Sequence, residues 1–531
     1  MREKAEANGQ DLLLVDTGDR IEGNGLYDAS NPKGKYTFPI FKEQHIDVIC
    51  AGNHELYKQN SSENEYLVTV PDFKGNYLAS NLDIVDPMTG KLVPLAPRFK
   101  KFTTKNQGLR IIAFGFIFDF YGNYNNTVVQ PVENTIQEKW FQDAIRDRDV
   151  DLFLVIGHVH IRAAEFEAIF KAIRGVQWDT PIQFFGGHFH IRDYKRFDSK
   201  SYALESGRFM ETIGFHSIDG FSFKGEGKSD AQRLMTFSRK YIDNNLFSFY
   251  HHTGLNLDTF PTEHGRNVSK AIKAARDELN LDTTYGCAEK DLWMSRAKYP
   301  SQDSIFTWLE ERVLPDFVSD PDRANQSRIA IINTGAIRFD IFKGPFTRDS
   351  TYIVAPFNGR FRYIKDVPND KAGQLLSILN NGGQIFADAN PALQSWMLAP
   401  PEQSGYSSNL AARAPQKRGV KQQPITNSPG LIPGYTTKDD AGPDGDDTVH
   451  SAVEFYRVPN CIQSVIRFPS VAEDFEKVDV VFLEFLQPWI LLAFKFLGLE
   501  YKDVDTATYM HDENLKSLLV KWVSENWKDR C

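Results

Sequence analysis

Short apolar runs that end in a glycine and a polar residue recur through the first part of the chain. A run of about four to eight apolar residues bounded by such a turn predicts a buried strand. The segments that follow these runs are Asp16-Thr17-Gly18-Asp19, Gly52-Asn53-His54-Glu55, Gly157-His158 and Gly186-Gly187-His188-Phe189-His190. Folds that combine strands and helices place their chemistry at the carboxyl ends of strands. We therefore expect these polar side chains to lie near one another.

The side chains at these strand ends are of the types that bind metal ions or move protons. The amide oxygen of Asn53 suits a hard or borderline cation, and an imidazole such as His54 holds or passes a proton near neutral pH. Residues two apart in an extended segment face the same way, so His188 and His190 can reach the same site. A single histidine on an apolar strand is more often a core residue, and a single Gly-Asn-His-Glu sequence is equally typical of a plain turn. The repetition at four strand ends favours metal binding.

This set of motifs resembles the calcineurin-like metallophosphoesterases, and in particular their 5'-nucleotidase branch. Members of that branch use Gly-Asp, Gly-Asn-His-Glu, a single His after a strand and Gly-His-x-His to hold two metal ions. By position, the resemblance implies Asp19 as the ligand that bridges both metals, Asn53, His158 and His188 as ligands of one metal, and His190 as a ligand of the other. It also implies that His54 is the catalytic, non-ligand histidine that assists phosphoryl transfer.

Several neighbours of these motifs do not match a family ligand. We interpret Asp16 as turn-forming and His160 as incidental. Tyr57 stands where the family usually has an aspartate that orients the catalytic histidine. The group that holds the tautomer of His54 therefore stays open: Glu55 is the nearest acid in sequence, with a purely structural role for Glu55 as the alternative.

The family also opens with a strand that ends in Asp-x-His and supplies two ligands of the first metal. This chain begins in what the sequence predicts to be the helix after that strand, and no Asp-x-His precedes Asp19. As written, the first metal would keep only Asp19 and His190 as protein ligands. Either the chain is an incomplete version of a longer protein or it has lost activity, and the intact motifs downstream favour the first interpretation.

The second half of the chain carries a separate group of candidate residues. A predicted strand over Ile329–Ile332 leads into Asn333-Thr334-Gly335-Ala336-Ile337-Arg338, and a second predicted strand over Tyr352–Ala355 leads into Pro356-Phe357. An arginine pairs with phosphate or carboxylate, and an aromatic ring stacks on a nucleobase. Each is individually more often fold-forming than functional. The resemblance implies that the substrate-binding residues are Asn333, Arg338, Phe357, Tyr435 and Arg296.

Composition narrows the class of protein. The chain has 531 residues, of which 41% are hydrophobic and 25% charged, as in ordinary soluble globular proteins. A net charge of -9 argues against a nucleic-acid polymer as partner. The longest apolar tract, Val478–Leu499, is interrupted by charged residues and a proline, so we predict a packed helix pair and no membrane span. Cys287 and Cys461 could pair if the protein is secreted.

These patterns predict an α/β (α+β) protein with three parts. Residues 1–260 form a metallophosphoesterase domain, a two-sheet β-sandwich flanked by helices that lacks its first strand. Residues 261–280 form an amphipathic linker helix. Residues 281–531 form an α/β substrate domain of the 5'-nucleotidase type, with a long loop at 398–430.

The predicted function is metal-dependent hydrolysis of nucleoside 5'-monophosphates by a water activated between two divalent ions of the Zn, Mn or Fe type. Nucleotide sugars, dinucleotides or cyclic nucleotides are alternative substrates, and a non-catalytic nucleotide-binding protein is the alternative class. The predicted partner is a small-molecule nucleotide, and we assign no oligomeric state. The resemblance implies an extracellular, cell-surface or vacuolar location, although the polar N-terminus shows no signal peptide and leaves the cytoplasm open.

Overall fold

The structure is a computed structural model that describes residues 1–221, 235–390, 393, 397–403, 454–467, 476–511 and 513–528. These residues form two compact units. Unit 1 contains Met1–Arg20 and the described residues of Phe38–Lys270. Unit 2 contains Ile21–Thr37 and the described residues from Ala271 onward.

Unit 1 is built around a six-stranded mixed sheet. The strands of this unit are β1 Val15–Asp16, β2 Val48–Ile49, β3 Leu82–Val85, β4 Leu92–Pro94, β5 Phe99–Thr103, β6 Arg110–Ile117, β7 Thr127–Val129, β8 Leu152–His158, β9 Ile182–Gly186, β10 Arg192–Asp198, β11 Ser201–Ser206, β12 Thr212–Asp219 and β13 Thr236–Asp243. The large sheet has the order β10-β11-β9-β8-β6-β5, and β6, β8, β9 and β11 run parallel. Three small sheets accompany it: β1-β2, β4-β3-β7 and β12-β13.

The two faces of the large sheet are covered differently because alternate residues of a strand point to opposite sides. On β6, Ile112 and Phe114 face a core that includes the helices, whereas Ile111 and Ala113 face a core shared with β1 and β2. The helices of unit 1 are Arg2–Ala7, Gln59–Asn64, Val70–Asp72, Val132–Thr135, Lys139–Ile145, Ala164–Arg174 and Leu246–Thr253, with a π-helical turn at Glu65–Thr69 and a 3-10 turn at His54–Leu56. The helix Thr37–Phe41 begins at the last residue of a unit 2 segment, and the division between Lys270 and Ala271 falls inside the helix Glu263–Glu278.

Unit 2 is built around a five-stranded sheet. The strands of the unit are β14 Thr284–Ala288, β15 Arg328–Asn333, β16 Gly344–Thr347, β17 Phe361–Pro368, β18 Cys461–Ile466, β19 Lys477–Leu483 and β20 Ala507–Thr508. The sheet order is β18-β15-β19-β17-β20, and β14 pairs with β16. Its helices are Gly25–Asp28, Ile305–Trp308, Leu314–Phe317, Arg348–Val354, Asn369–Ala372, Leu375–Asn381, Gly383–Ala389, Gln487–Phe496 and Leu515–Asn526; a π-helical turn lies at Leu309–Val313, and 3-10 turns lie at Pro321–Arg323, Thr334–Ala336, Glu484–Leu486 and Asp503–Asp505. On β15, Ile329 and Ile331 enter one core and Ala330 and Ile332 the other.

The segment 21–37 packs within unit 2, although the domain prediction includes it in 1–260. The N–H of Gly25 donates a buried 2.8 Å hydrogen bond to Oδ1 of Asp349, and Tyr27 is 1% exposed. These contacts hold the segment against the helix Arg348–Val354. The mixed α/β class is confirmed, whereas the boundaries at 260 and 280 stay a prediction.

Three sequence predictions for unit 2 are wrong. Tyr352–Ala355 is not a strand, because Thr347 and Ser350 form a capping box that starts a helix at Arg348. The tract Val478–Leu499 is a strand followed by a helix, since three β-branched valines favour β19 and a proline lies in the first turn of the helix. Cys461 is a free, buried thiol while Cys287 is disulfide-bonded, so these two cysteines do not pair.

Among the described residues, no helix combines the length and apolar character needed to cross a membrane.

Candidate active site

Two glycine turns in unit 1 touch each other at the carboxyl ends of β1 and β2. The two strands are parallel, with Val15 paired to Val48, so their ends lie side by side. A Cβ on Gly18 would lie 2.2 Å from the backbone nitrogen of Gly52, and a Cβ on Gly52 would lie 2.1 Å from Oδ1 of Asp19. Because no other residue fits these positions, both turns require glycine. The contact places Asp19 against the turn that carries Asn53 and His54.

A buried carboxylate ties the two turns together. Glu55 is 0% exposed, and its Oε2 accepts the N–H groups of Gly52 at 2.8 Å and Asp19 at 2.9 Å. Its Oε1 accepts the N–H of Arg20 at 2.7 Å. Charge-assisted bonds of this kind are stronger than neutral ones. Glu55 therefore has the structural role that the sequence left as an alternative to orienting His54.

Arg20 forms a second buried support beneath the turns. Its guanidinium donates to Cys50 O at 2.7 Å, to Asp16 Oδ1 at 2.9 Å and to Glu65. The same oxygen of Asp16 accepts the N–H of Gly18 at 3.0 Å, which agrees with the interpretation of this residue as turn-forming. The charged groups below the site are thus paired with one another.

Asp19, His158 and His188 bring ligand-type atoms within 4.8 Å of one another. Nε2 of His158 lies 2.9 Å from Oδ2 of Asp19 and 3.2 Å from Nδ1 of His188. Burial would lower the pKa of His158, but the Asp19 carboxylate raises that pKa above its usual value. Burial likewise opposes the ionisation of Asp19, yet the His158 and His54 imidazoles hold its pKa well below the usual range.

The donor pattern of this cluster fits a cation. Nδ1 of His158 lies 2.9 Å from Thr17 O, which can only accept, so Nδ1 carries a proton and the neutral ring presents a lone pair at Nε2. That lone pair faces Oδ2 of Asp19, which can only accept, so a proton or a metal ion between these two atoms would satisfy both; Nδ1 of His188 donates or accepts according to its tautomer. Nδ2 of the buried Asn53 donates to Tyr57 Oη at 2.8 Å, while its Oδ1 has no hydrogen-bond partner among the described residues. The residues present therefore fit oxygen-plus-imidazole metal binding.

Tyr57 contacts both residues of the Asn53-His54 pair. Its hydroxyl fixes the Asn53 amide, and its ring meets the His54 ring edge-on with centroids 5.2 Å apart. The backbone N–H of His54 donates to Oδ1 of Asp19 at 2.9 Å, and Nε2 lies 4.0 Å from Oδ2. His54 is thus placed beside the cluster, with packing against Tyr57 at the position where the family has an aspartate.

His188 and His190 lie in a left-handed turn, so the expectation of an extended segment is wrong. Their φ angles are 85° and 59°. His188 stacks on Phe118 at 4.3 Å, whereas His190 meets Phe209 edge-on at 5.4 Å. Within the described part of the chain, His190 does not belong to the group of ligand atoms formed by Asp19, His158 and His188. The two histidines are therefore presented to different neighbours.

His160, which we interpreted as incidental, supports this turn. Its buried ring stacks on Phe189 at 4.3 Å, between the two turn histidines, and its Nδ1 lies 2.7 Å from Oε2 of the buried Glu205. His160, Asp193 and Glu205 also form a group of ligand-type atoms, but Arg162 donates to both oxygens of Asp193 at 2.6 and 2.8 Å. We interpret this group as an ion-paired support. The sequence offered one signal for it, the His-x-His spacing after β8.

The structure brings together two of the candidate substrate residues in unit 2. The guanidinium carbon of Arg338 lies 5.0 Å from the centroid of the Phe357 ring. The N–H of Arg338 donates to Val354 O at 2.9 Å, which ties the 3-10 turn after β15 to the helix before Phe357. A cation beside a ring offers a phosphate or carboxylate partner and a stacking face in one place.

The other candidates of unit 2 have separate surroundings. Asn333 is buried at the end of β15 and donates to Leu398 O at 3.3 Å. Nε of Arg296 lies 3.8 Å from Oδ2 of Asp340, and its guanidinium lies 5.1 Å from the Trp293 ring. Tyr435, together with positions 404–430 of the predicted loop, lies outside the described residues.

Comparisons with known proteins give matches for both units. Residues 1–192 match the family model of the calcineurin-like phosphoesterases, and residues 291–491 match that of the NAD nucleotidase C-terminal domain. An uncharacterised protein of Schizosaccharomyces pombe is 37% identical and the alignment covers 100% of this chain and 86% of that protein. A protein of Arthroderma benhamiae described as secreted is 33% identical, with coverage of 100% and 85%. The solved structure of a 5'-nucleotidase from Candida albicans has 39% identity and a TM-score of 0.84, and the match covers 99% of this chain and 91% of that one.

Proposed function

Because the chain belongs to the 5'-nucleotidase branch of the calcineurin-like phosphoesterases and is a phosphoric ester hydrolase, we propose that it releases phosphate from nucleoside 5'-monophosphates. The observation that carries the proposal is the group of ligand-type atoms formed by Asp19, His158 and His188, and the buried Asn53 oxygen without a hydrogen-bond partner among the described residues adds to it. The likeness to the Candida albicans 5'-nucleotidase supports the choice of substrate class.

We propose that two divalent ions of the Zn, Mn or Fe type are the cofactors. The residues that would hold them are Asp19, Asn53, His158, His188 and His190. When bound, such ions offset charge on phosphate oxygens and lower the pKa of a coordinated water. The chain contributes the fixed tautomer of His158, set by Thr17 O, and the fixed amide of Asn53, set by Tyr57.

His54 is the residue proposed to act on the phosphoryl group itself. Its backbone is held by Asp19 and its ring by Tyr57, so the imidazole is oriented before substrate binds. Its Nε2 donates a hydrogen bond to an oxygen of the transferring phosphoryl group, where negative charge accumulates. A positioned imidazole contributes about a hundred- to ten-thousand-fold to the rate.

In unit 2, Arg338 and Phe357 are the proposed contacts for the nucleoside, with Asn333 and Arg296 as further polar contacts. The pairing of a guanidinium with a half-buried aromatic ring supports this assignment. Because residues 291–491 match the NAD nucleotidase C-terminal domain, a dinucleotide such as NAD is the second candidate substrate. The secreted relative supports the proposal that the protein acts outside the cytoplasm.

The test is phosphate release from 5'-AMP with added manganese or zinc, with NAD as the competing substrate. His54→Ala should lower kcat by about a hundred- to ten-thousand-fold and keep manganese affinity, since His54 is not a proposed ligand. His251→Ala, a change in an exposed histidine, is the matched control. Full turnover in His54→Ala would contradict the assignment, and cleavage of NAD without cleavage of 5'-AMP would favour the dinucleotide.

A further inference from the structure

A tight turn between β11 and β12 has an unusual sequence. The N–H of Glu211 donates to Arg208 O at 2.9 Å, and the two residues inside this turn, Phe209 and Met210, have φ angles of 51° and 56°. A four-residue turn with positive φ at both central positions is of type I′. Such turns favour Asn-Gly or Gly-Gly, because a Cβ is strained in the left-handed region.

The two central side chains gain little burial in return for this strain. Phe209 is 51% exposed and Met210 is 66% exposed. A strained conformation persists only where the surroundings enforce it, and such residues cluster at functional sites. Phe209 and Met210 are large apolar residues at a turn that favours glycine, and both side chains are exposed. Folding alone therefore does not explain why these residue types occupy the turn.

The surroundings of the turn hold it in place. Nδ2 of Asn244 donates to Met210 O at 2.6 Å, and the N–H of Asn244 donates to Glu211 O at 3.0 Å. The buried guanidinium of Arg208 lies 5.0 Å from the Phe209 ring. The backbone and the base of the ring are thus fixed while the outer faces of both side chains meet solvent.

The tip of the turn contacts His190, a residue proposed above as a metal ligand. The ring of Phe209 meets the ring of His190 edge-on, with centroids 5.4 Å apart. We propose that Phe209 and Met210 form an apolar contact for the leaving alcohol, and that this contact makes the enzyme prefer esters of ring-bearing alcohols such as nucleosides. The proposal rests on the proposed function and names the part of the substrate that the turn recognises.

The test replaces the pair by the residues that the turn geometry favours, with Phe209→Asn and Met210→Gly combined. Relief of strain should raise Tm by a few degrees, while loss of the apolar contact lowers kcat/KM for 5'-AMP by about ten-fold or more. Turnover of glycerol 3-phosphate, a small acyclic ester, should change by less than about three-fold. The affinity for adenosine, measured by calorimetry, should fall in parallel with kcat/KM for 5'-AMP.

Phe247→Ala is the control, since Phe247 is 73% exposed on the helix Leu246–Thr253 and carries no proposed role. A lower Tm with equal losses on both esters would show a structural role and overturn the proposal. A higher Tm with unchanged selectivity would overturn it as well. If the unmodified chain cleaves neither ester, the proposed function fails, and equal adenosine affinity of the two proteins would then remove the inference independently.

Discussion

Replacement of Glu55 by glutamine should weaken both the fold and the metal centre of unit 1. The carboxylate accepts three backbone N–H groups, those of Gly52, Asp19 and Arg20. A glutamine keeps one acceptor oxygen and puts an NH₂ donor at the other position, so at least one buried N–H faces a donor. An unsatisfied buried donor costs about 1–3 kcal/mol, and a charge-assisted bond is worth about 1.5–3 kcal/mol. We expect the free energy of unfolding to fall by about 2–4 kcal/mol.

Glu55→Gln should also weaken metal binding, because two of the three N–H groups belong to Asp19 and to Gly52, the residue before Asn53. Loss of a group that orients ligands lowers metal affinity by about ten- to a hundred-fold. Urea unfolding of the metal-free protein gives the first quantity, and calorimetric titration with manganese gives the second. Glu133→Gln, a change in an exposed acid, should stay within about 0.5 kcal/mol of the parent. A Glu55→Gln protein that matches this control in both measurements would refute the reasoning.

Two further predictions concern His160 and His216 of unit 1. His160→Phe keeps a ring on Phe189 but removes the partner of Glu205, so manganese affinity should fall about ten-fold. Adding Glu205→Leu removes the unpaired carboxylate and should restore that affinity. If calorimetry shows no recovery in the double variant, His160 does not act as a support of the turn. Burial and the nearby Arg239 lower the pKa of His216 from 6.5 to about 4. Between pH 6.5 and pH 4, His216 is therefore protonated in the unfolded chain and neutral in the folded chain. Stability should therefore fall by about 3 kcal/mol as pH drops from 6.5 to 4, and His216→Phe, compared with His251→Phe, should flatten that fall in urea unfolding.

Strands of both units could be predicted where the sequence shows an uninterrupted apolar run. The runs at 48–51 and 152–156, and the run that begins at Ile329, are uniformly apolar because both faces of their sheets are covered. The prediction failed at Tyr352–Ala355, where β-branched residues outweighed a cap that lies five residues earlier. A capping box fixes the start of a helix through side-chain bonds at Thr347 and Ser350, which a hydrophobicity pattern does not register.

The site was only partly predictable for a related reason. Residue types and spacing bring Asp19, His158 and His188 to notice, since each follows a strand and a glycine. Nothing local distinguishes the Glu55 that ties two turns from an ordinary turn acid, because its three partners lie up to 36 positions away in the chain. The same holds for His160, whose partner Glu205 is 45 residues distant.

The candidate ligands also occupy backbone conformations that their residue types disfavour. Asp19, His188 and His190 have φ angles of 60°, 85° and 59°. Each such residue costs about 1–2 kcal/mol relative to an ordinary conformation. Buried charged groups offset that cost. Glu55 accepts the backbone N–H of Asp19 in the first turn. In the second turn, His160, which is paired with Glu205, stacks on the Phe189 ring between the two histidines. Strain and its compensation therefore occur together at the ligands, which explains why rules for local sequence fail there while they succeed in the strands that lead to them.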